Sequence, residues 1–196
     1  MIILTKIFFF SYFISCVYCK SAAEWRSRSI YQMLTDRFSP SNHSYVRCTE
    51  VPISEHSLRH YCGGTYRGAI DQLDYIHQLG FNALWISPMT LNVDGETIYG
   101  VGWHGYWQEN IYRLNEYFGS EQDLIDFIHE AHQRDIWIML DVVANHVGPN
   151  LTGNYVPFNK YEHFHQPLCF IDDYRNQTQV MNAKGKEEKN ERYGFF

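Results

Sequence analysis

Two short stretches of this 196-residue chain concentrate side chains able to do chemistry. Asp141-Val-Val-Ala-Asn-His146 sets a carboxylate, an amide and an imidazole within six residues, directly after the apolar run Ile136-Trp-Ile-Met-Leu140. A carboxylate accepts hydrogen bonds, an amide does both, and an imidazole donates or accepts near neutral pH. Gly102-Trp-His-Gly-Tyr-Trp107 presents aromatic faces on a backbone that its glycines allow to turn. Tyr and Trp are amphipathic plates that stack on the apolar faces of sugars while a polar tip forms a hydrogen bond. Each stretch also has a plainer reading. Polar side chains at a strand end can merely satisfy loop backbone, and Tyr and Trp often anchor a loop on a core.

The elements that must position these residues follow from hydrophobic patterning. Ser29 to Leu34 is a short apolar run that predicts a buried strand, and Thr35-Asp-Arg-Phe38 leads out of it as a polar loop. The stretch from Ser39 to His60 is a long loop, with Cys48 and Cys62 near its ends. Ile70, Leu73, Ile76 and Leu79 share one face of a helix that Gly80 stops. Phe81 to Ile86 predicts the next strand, ended by Ser87-Pro88, and another long loop follows. Ser120 with Asp123 three residues on resembles a capping box opening a helix whose stripe is Leu124, Ile128 and Ala131. Ile136 to Leu140 then continues into Asp141-Val-Val143 without polar alternation, the pattern of a strand covered on both faces.

Alternation of strand and helix implies parallel β/α units. The loops after the strands greatly exceed the usual length of about 4–6 residues, and loops of that length are usually functional. In β/α barrels the active site is built from loops at the C-terminal ends of the strands, where Asp141, Asn145 and His146 fall. From Gly148 onward the rhythm stops, and Lys184 to Arg192 is a charge-dense run of the kind found in solvated tails.

Composition narrows the setting. Lys6 precedes the apolar run Ile7 to Tyr18, and Ser21, Ala22 and Ala23 follow, the order of a secretory signal peptide over residues 1–20. The run falls short of the roughly 20 apolar residues a membrane span needs. The expected location is therefore extracellular, with no membrane partner beyond an anchor left uncleaved. Asn42, Asn150 and Asn176 each open an N-glycosylation acceptor pattern, which agrees with export. Without Cys16 and Cys19, Cys48, Cys62 and Cys169 remain, an odd number for an oxidising compartment. A net charge of −6 and the absence of basic clusters in the mature region argue against nucleic acid as a partner.

Tyr31-Gln-Met-Leu-Thr-Asp-Arg-Phe38, Tyr61-Cys-Gly-Gly-Thr65, Gly102-Trp-His-Gly-Tyr-Trp107 and Asp141-Val-Val-Ala-Asn-His146 occur in this order. Together they resemble the secreted fungal α-amylases of glycoside hydrolase family 13. The resemblance implies an α/β fold, a TIM-type (β/α)8 barrel with a small irregular domain inserted after the third strand. It places the N-terminal part of the catalytic barrel at 24–147, part of the inserted calcium-binding domain at 148–183 and a non-family tail at 184–196.

The same resemblance implies that Tyr106 stacks on glucose at the cleavage subsite, while Trp107 and His104 shape the neighbouring wall. It implies that His146 hydrogen-bonds a sugar hydroxyl, that Asp141 braces the site, and that Asn145 gives an oxygen to a structural calcium ion. A Cys48–Cys62 disulfide would match the loop disulfide of the fungal enzymes, and such a crosslink is worth about 3 kcal/mol. Arg59 stands where those enzymes commonly carry a substrate-contacting Gln. The expected partner of Cys169 near Ala183 is missing, and Met181 stands at an acidic calcium-ligand position.

Retaining hydrolysis needs a nucleophilic carboxylate and an acid/base about 5–5.5 Å apart. In the family these come from the fourth and fifth barrel strands, beyond the elements found here, so no residue of this chain is assigned to either role. The expectation is an endo-acting hydrolase of α-1,4-glucans such as starch, glycogen or maltooligosaccharide, calcium-dependent and monomeric when intact, with this stretch inactive alone. An α-glucosidase or transglycosylase of the same superfamily, or a non-catalytic secreted glucan-binding remnant, are the alternatives.

Overall fold

The structure, a computed structural model, describes residues 20–41, 59–93, 95, 97, 100–149 and 155–164. The sequons at Asn42, Asn150 and Asn176, the residues Cys48, Cys169 and Met181, the signal-peptide residues 1–19 and the tail 184–196 lie outside these.

A short helix α1 (Ala22–Trp25) leads to strand β1 (Ile30–Met33) and a one-turn helix α2 (Thr35–Phe38). Helices α3 (Tyr66–Asp71) and α4 (Leu73–Gln78) precede strand β2 (Ala83–Ile86). Strands β3 (Thr90–Asn92) and β4 (Gln108–Leu114), helix α5 (Glu121–Gln133) and strand β5 (Trp137–Leu140) complete the order. β1, β2 and β5 form one parallel sheet in the order β1-β2-β5, and β3 pairs with β4 antiparallel. Each parallel crossover carries helices, as parallel pairing requires.

Period-two alternation divides the sheet between two surroundings. Leu84 and Ile86 of β2 are fully buried against the helices, in one core with Met33, Tyr66, Leu73, Ile76, Phe127, Ala131 and Ile136. Trp85 lies between them in sequence and points to the opposite face. α3 is capped by Thr65, whose hydroxyl accepts the Gly68 N–H at 3.0 Å. α5 opens on the expected capping box, with Ser120 and Asp123 each accepting from the other's backbone N–H.

Several sequence expectations need correction. Thr35-Asp-Arg-Phe38 is a helical turn, not a polar loop, and its Thr35 and Asp36 are buried. The single helix expected across Ile70 to Leu79 is two, because Gln72 leaves helical geometry at φ −111° and ψ 5°. Leu79 caps the C-terminus of α4 and is exposed. β5 is not covered on both faces by the described residues: its interior is half-buried and Leu140 is exposed. The loop after β2 holds the β3–β4 hairpin, whose mixed polar and apolar residues give no strand period. On that hairpin sits a second small core of Val93, Val147 and Tyr155, with Trp107, Phe158 and Phe164 packed against it.

Candidate functional site

The three parallel strands end side by side, and their exits are tied together. The Ser87 N–H donates to the Met33 carbonyl at 3.0 Å, and the Asp141 N–H donates to the Ile86 carbonyl at 3.2 Å. Thr35 donates its N–H to the Ser87 hydroxyl at 3.1 Å. Asp141 is thereby held at the C-terminal end of the sheet, where β/α folds place their sites.

One oxygen of Asp141 collects two donors. The Tyr106 hydroxyl donates to Oδ2 at 2.7 Å and the Trp85 indole N–H at 3.1 Å. Tyr106 is half-buried, and its hydroxyl is pushed up to about 12, first by burial and then by its bond to the Asp141 carboxylate. It stays protonated as a donor across the working pH range of proteins. The polar tip of Tyr106 is thus held while its ring forms part of the half-buried surface.

The loop Gly102 to Trp107 folds tightly around Tyr106. His104 Nδ1 accepts the Tyr106 N–H at 3.0 Å, so that nitrogen carries no proton. His146 Nε2 lies 2.9 Å from the Tyr106 carbonyl, and since a carbonyl only accepts, Nε2 carries the proton. His104 is lowered to about 4, by burial first and then by the charge of Arg37 and His146. Its ring meets Trp107 edge-on at 4.7 Å and lies nearly parallel to Tyr106 at 5.8 Å. Gly105 makes this turn feasible at φ +90°, and a β-carbon there would run into the Pro88 carbonyl.

The structure therefore brings Tyr106, His104, Trp107, His146 and Asp141 into one cluster. Trp107 also packs on the hairpin core, with its N–H donating to buried Asn92 at 2.6 Å, so the anchoring role left open for it is realised on one side. Asn145 is exposed and separate from the cluster's hydrogen bonds. Arg59 is exposed, and its carbonyl accepts the Val101 N–H at 3.0 Å beside Gly100. Cys62 is fully buried and disulfide-bonded.

Sequence reasoning missed Trp85 and Asn92. Trp85 carried no signal, because an indole in an apolar strand reads as core. Asn92 carried no sequence signal either, since an Asn in an unpatterned stretch reads as an exposed loop residue and only the structure shows it buried.

Calcium takes 6–8 oxygen ligands, usually with carboxylates among them. Among the described residues no three His, Cys, Asp or Glu side chains converge, and Asn145 offers one exposed amide oxygen. The described residues alone do not fit such a site.

Residues 32–181 match the family described as alpha amylase, catalytic domain. An α-amylase of Saccharomycopsis fibuligera is 42% identical over 170 residues, which cover 83% of this chain and 33% of that relative. A solved α-amylase from Malbranchea cinnamomea is 40% identical with a TM-score of 0.69, covering 88% of this chain and 36% of its own. The α-amylase of Geobacillus thermoleovorans, solved in complex with acarbose, is 34% identical with a TM-score of 0.62, over 87% of this chain and 34% of that one. The chain spans about a third of the length of these relatives.

Proposed function

Because the chain belongs to the α-amylase catalytic-domain family, we propose that it supplies the first three β/α units of a secreted, endo-acting hydrolase of α-1,4-glucans. The observation that carries this reading is the Tyr106–Asp141 bond at the C-terminal end of a parallel sheet. It holds an aromatic plate by its polar edge and leaves the ring for a sugar face to stack on. His146 and His104 grip the backbone on either side of that plate, through the Tyr106 carbonyl and N–H. His104 retains its Nε2–H as a donor for a sugar hydroxyl.

Trp107 closes the wall against the hairpin core. Asp141 positions Tyr106 and Trp85 and is not assigned to bond cleavage. The nucleophile and acid/base would come from strands outside those described, so the cleft built here binds and orients. Asn145 would give one oxygen to a calcium set completed from outside the described residues. No step of the sugar-binding role depends on it. The disulfide at Cys62 supports an oxidising, extracytosolic location, where such bonds persist.

The test is a chimaera in which the 170-residue matching segment of the Saccharomycopsis fibuligera α-amylase is replaced by this chain's residues. It is expected to release reducing ends from soluble starch and to bind acarbose, the ligand in the Geobacillus complex. Tyr106→Ala should weaken acarbose binding at least tenfold. A folded chimaera that neither cleaves starch nor binds acarbose would overturn the reading.

A further inference from the structure

Asp36 and Arg37 take no part in the sugar site as read above, yet Arg37 contacts Trp103, the neighbour of His104 in the wall. Both lie on α2, which begins where β1 ends. Asp36 is 1% exposed and accepts the N–H groups of Cys62 at 2.8 Å and Gly63 at 3.1 Å. Arg37 lies 3.0 Å from the Asp36 carboxylate and donates to the His60 carbonyl at 2.9 Å. Its guanidinium carbon sits 3.6 Å from the centre of the Trp103 ring, and Trp103 meets His104 edge-on at 5.4 Å.

Burial works against both charges. It pushes the Asp36 carboxyl up and the Arg37 guanidinium down, in each case outweighing the attraction between them. A desolvated ion pair contributes little net stability, so its geometry is the feature to explain. Asp36 is fixed by two backbone donors on the segment that also carries the Cys62 disulfide, and it pairs with Arg37, which in turn meets the Trp103 ring. A cation pressed on an indole face is attracted by the ring quadrupole and fixes the ring's tilt. The same cation discourages protonation of His104, whose Nδ1 must stay free of a proton to accept the Tyr106 N–H.

We propose that Arg37, anchored by Asp36, is a positioning residue that presses on Trp103 and so fixes the Trp103–His104 side of the glucan cleft. This role rests on the α-glucan reading of the site and adds to it a device for setting sugar affinity from outside the contact surface.

Steady-state kinetics of the chimaera on maltoheptaose test it. Arg37→Ala is expected to raise KM five- to twentyfold with kcat changed less than twofold, because the wall binds ground state and transition state alike. Arg37→Lys, which keeps a cation over the indole, should recover most of that loss. With Trp103→Leu already present, Arg37→Ala should change KM less than twofold, since the pathway is then cut. Should Arg37→Ala fail to fold, Arg37→Gln against Arg37→Lys decides, with only Gln raising KM. Equal KM effects with and without Trp103, or no KM effect in a folded variant, would overturn the positioning role alone. A folded chimaera that neither cleaves starch nor binds acarbose would overturn the glucan reading and this role with it.

Discussion

Tyr106 and His104 show how little side-chain freedom the cluster retains. Tyr106 spends its hydroxyl on Asp141, its N–H on His104 and its carbonyl on His146. Tyr106→Phe keeps the ring and loses one charge-assisted hydrogen bond, worth roughly 1.5–3 kcal/mol. In the chimaera it should therefore weaken acarbose binding about tenfold or more without abolishing it, as read by titration calorimetry. His104 gives a pH signature. Its pKa falls from 6.5 to about 4, so the folded state disfavours the proton relative to the unfolded chain. The stability from its neutral form is fully present above about pH 6.5 and is lost as pH falls toward 4. Thermal midpoints of the parent minus those of His104→Gln should decline over that interval and stay level above it.

At the scale of elements, α5 and the core beneath it carry the clearest expectations. Ser120 accepts the Asp123 N–H, and Ser120→Ala should cost about 1 kcal/mol in chemical denaturation. Arg67 bridges α3 to Asp123 and Asp126 of α5, but its side chain is 48% exposed, so Arg67→Ala should cost under about 1 kcal/mol. Tyr66 lies between these helices, fully buried and stacked on Phe127 at 6.1 Å. Its hydroxyl has no hydrogen-bond partner among the described residues, and burial alone pushes its pKa up. Removing an unsatisfied buried hydroxyl relieves about 1–3 kcal/mol, less any packing it made. Tyr66→Phe is therefore expected to stabilise the chimaera or leave it unchanged, and a loss above 1 kcal/mol on denaturant titration would contradict this.

At the scale of the molecule, the three-stranded sheet leaves apolar surface uncovered among the described residues. Ile30 opens β1 and Leu34 follows it, both exposed, and Leu140 and Val142 lie exposed at the end of β5. Unpaired strand edges beside apolar side chains promote association. A polypeptide of just these 196 residues is expected to self-associate, to show no cooperative thermal transition and to release no reducing ends from starch. Sedimentation, calorimetry and a reducing-sugar assay check the three outcomes. The same polypeptide should bind calcium no tighter than the millimolar range, because Met181 stands where the family resemblance implies an acidic ligand and calcium takes 6–8 oxygens, usually with carboxylates among them. Micromolar binding by calorimetry would contradict it.

What the sequence determined by itself was whatever depends on local pattern. The capping box at Ser120, the apolar stripe of α5, the existence of the three parallel strands and the end of β2 at Ile86, and the motif residues later found clustered were all legible in it, whereas β1 and β5 stop short of the expected Leu34 and Val143. The physical reason is that periodicity and capping act within a few residues, and motif spacing carries chemistry on its own face. The tertiary structure alone decided which groups meet across long separations. Trp85 and Tyr106 converge on Asp141 from 56 and 35 residues away, and Arg37 of α2 meets the Trp103 ring across a long separation in the chain. The break at Gln72, the β3–β4 hairpin and the half-bare β5 were likewise beyond local pattern. Each depends on what packs against it, and a one-dimensional period carries no record of which faces will meet.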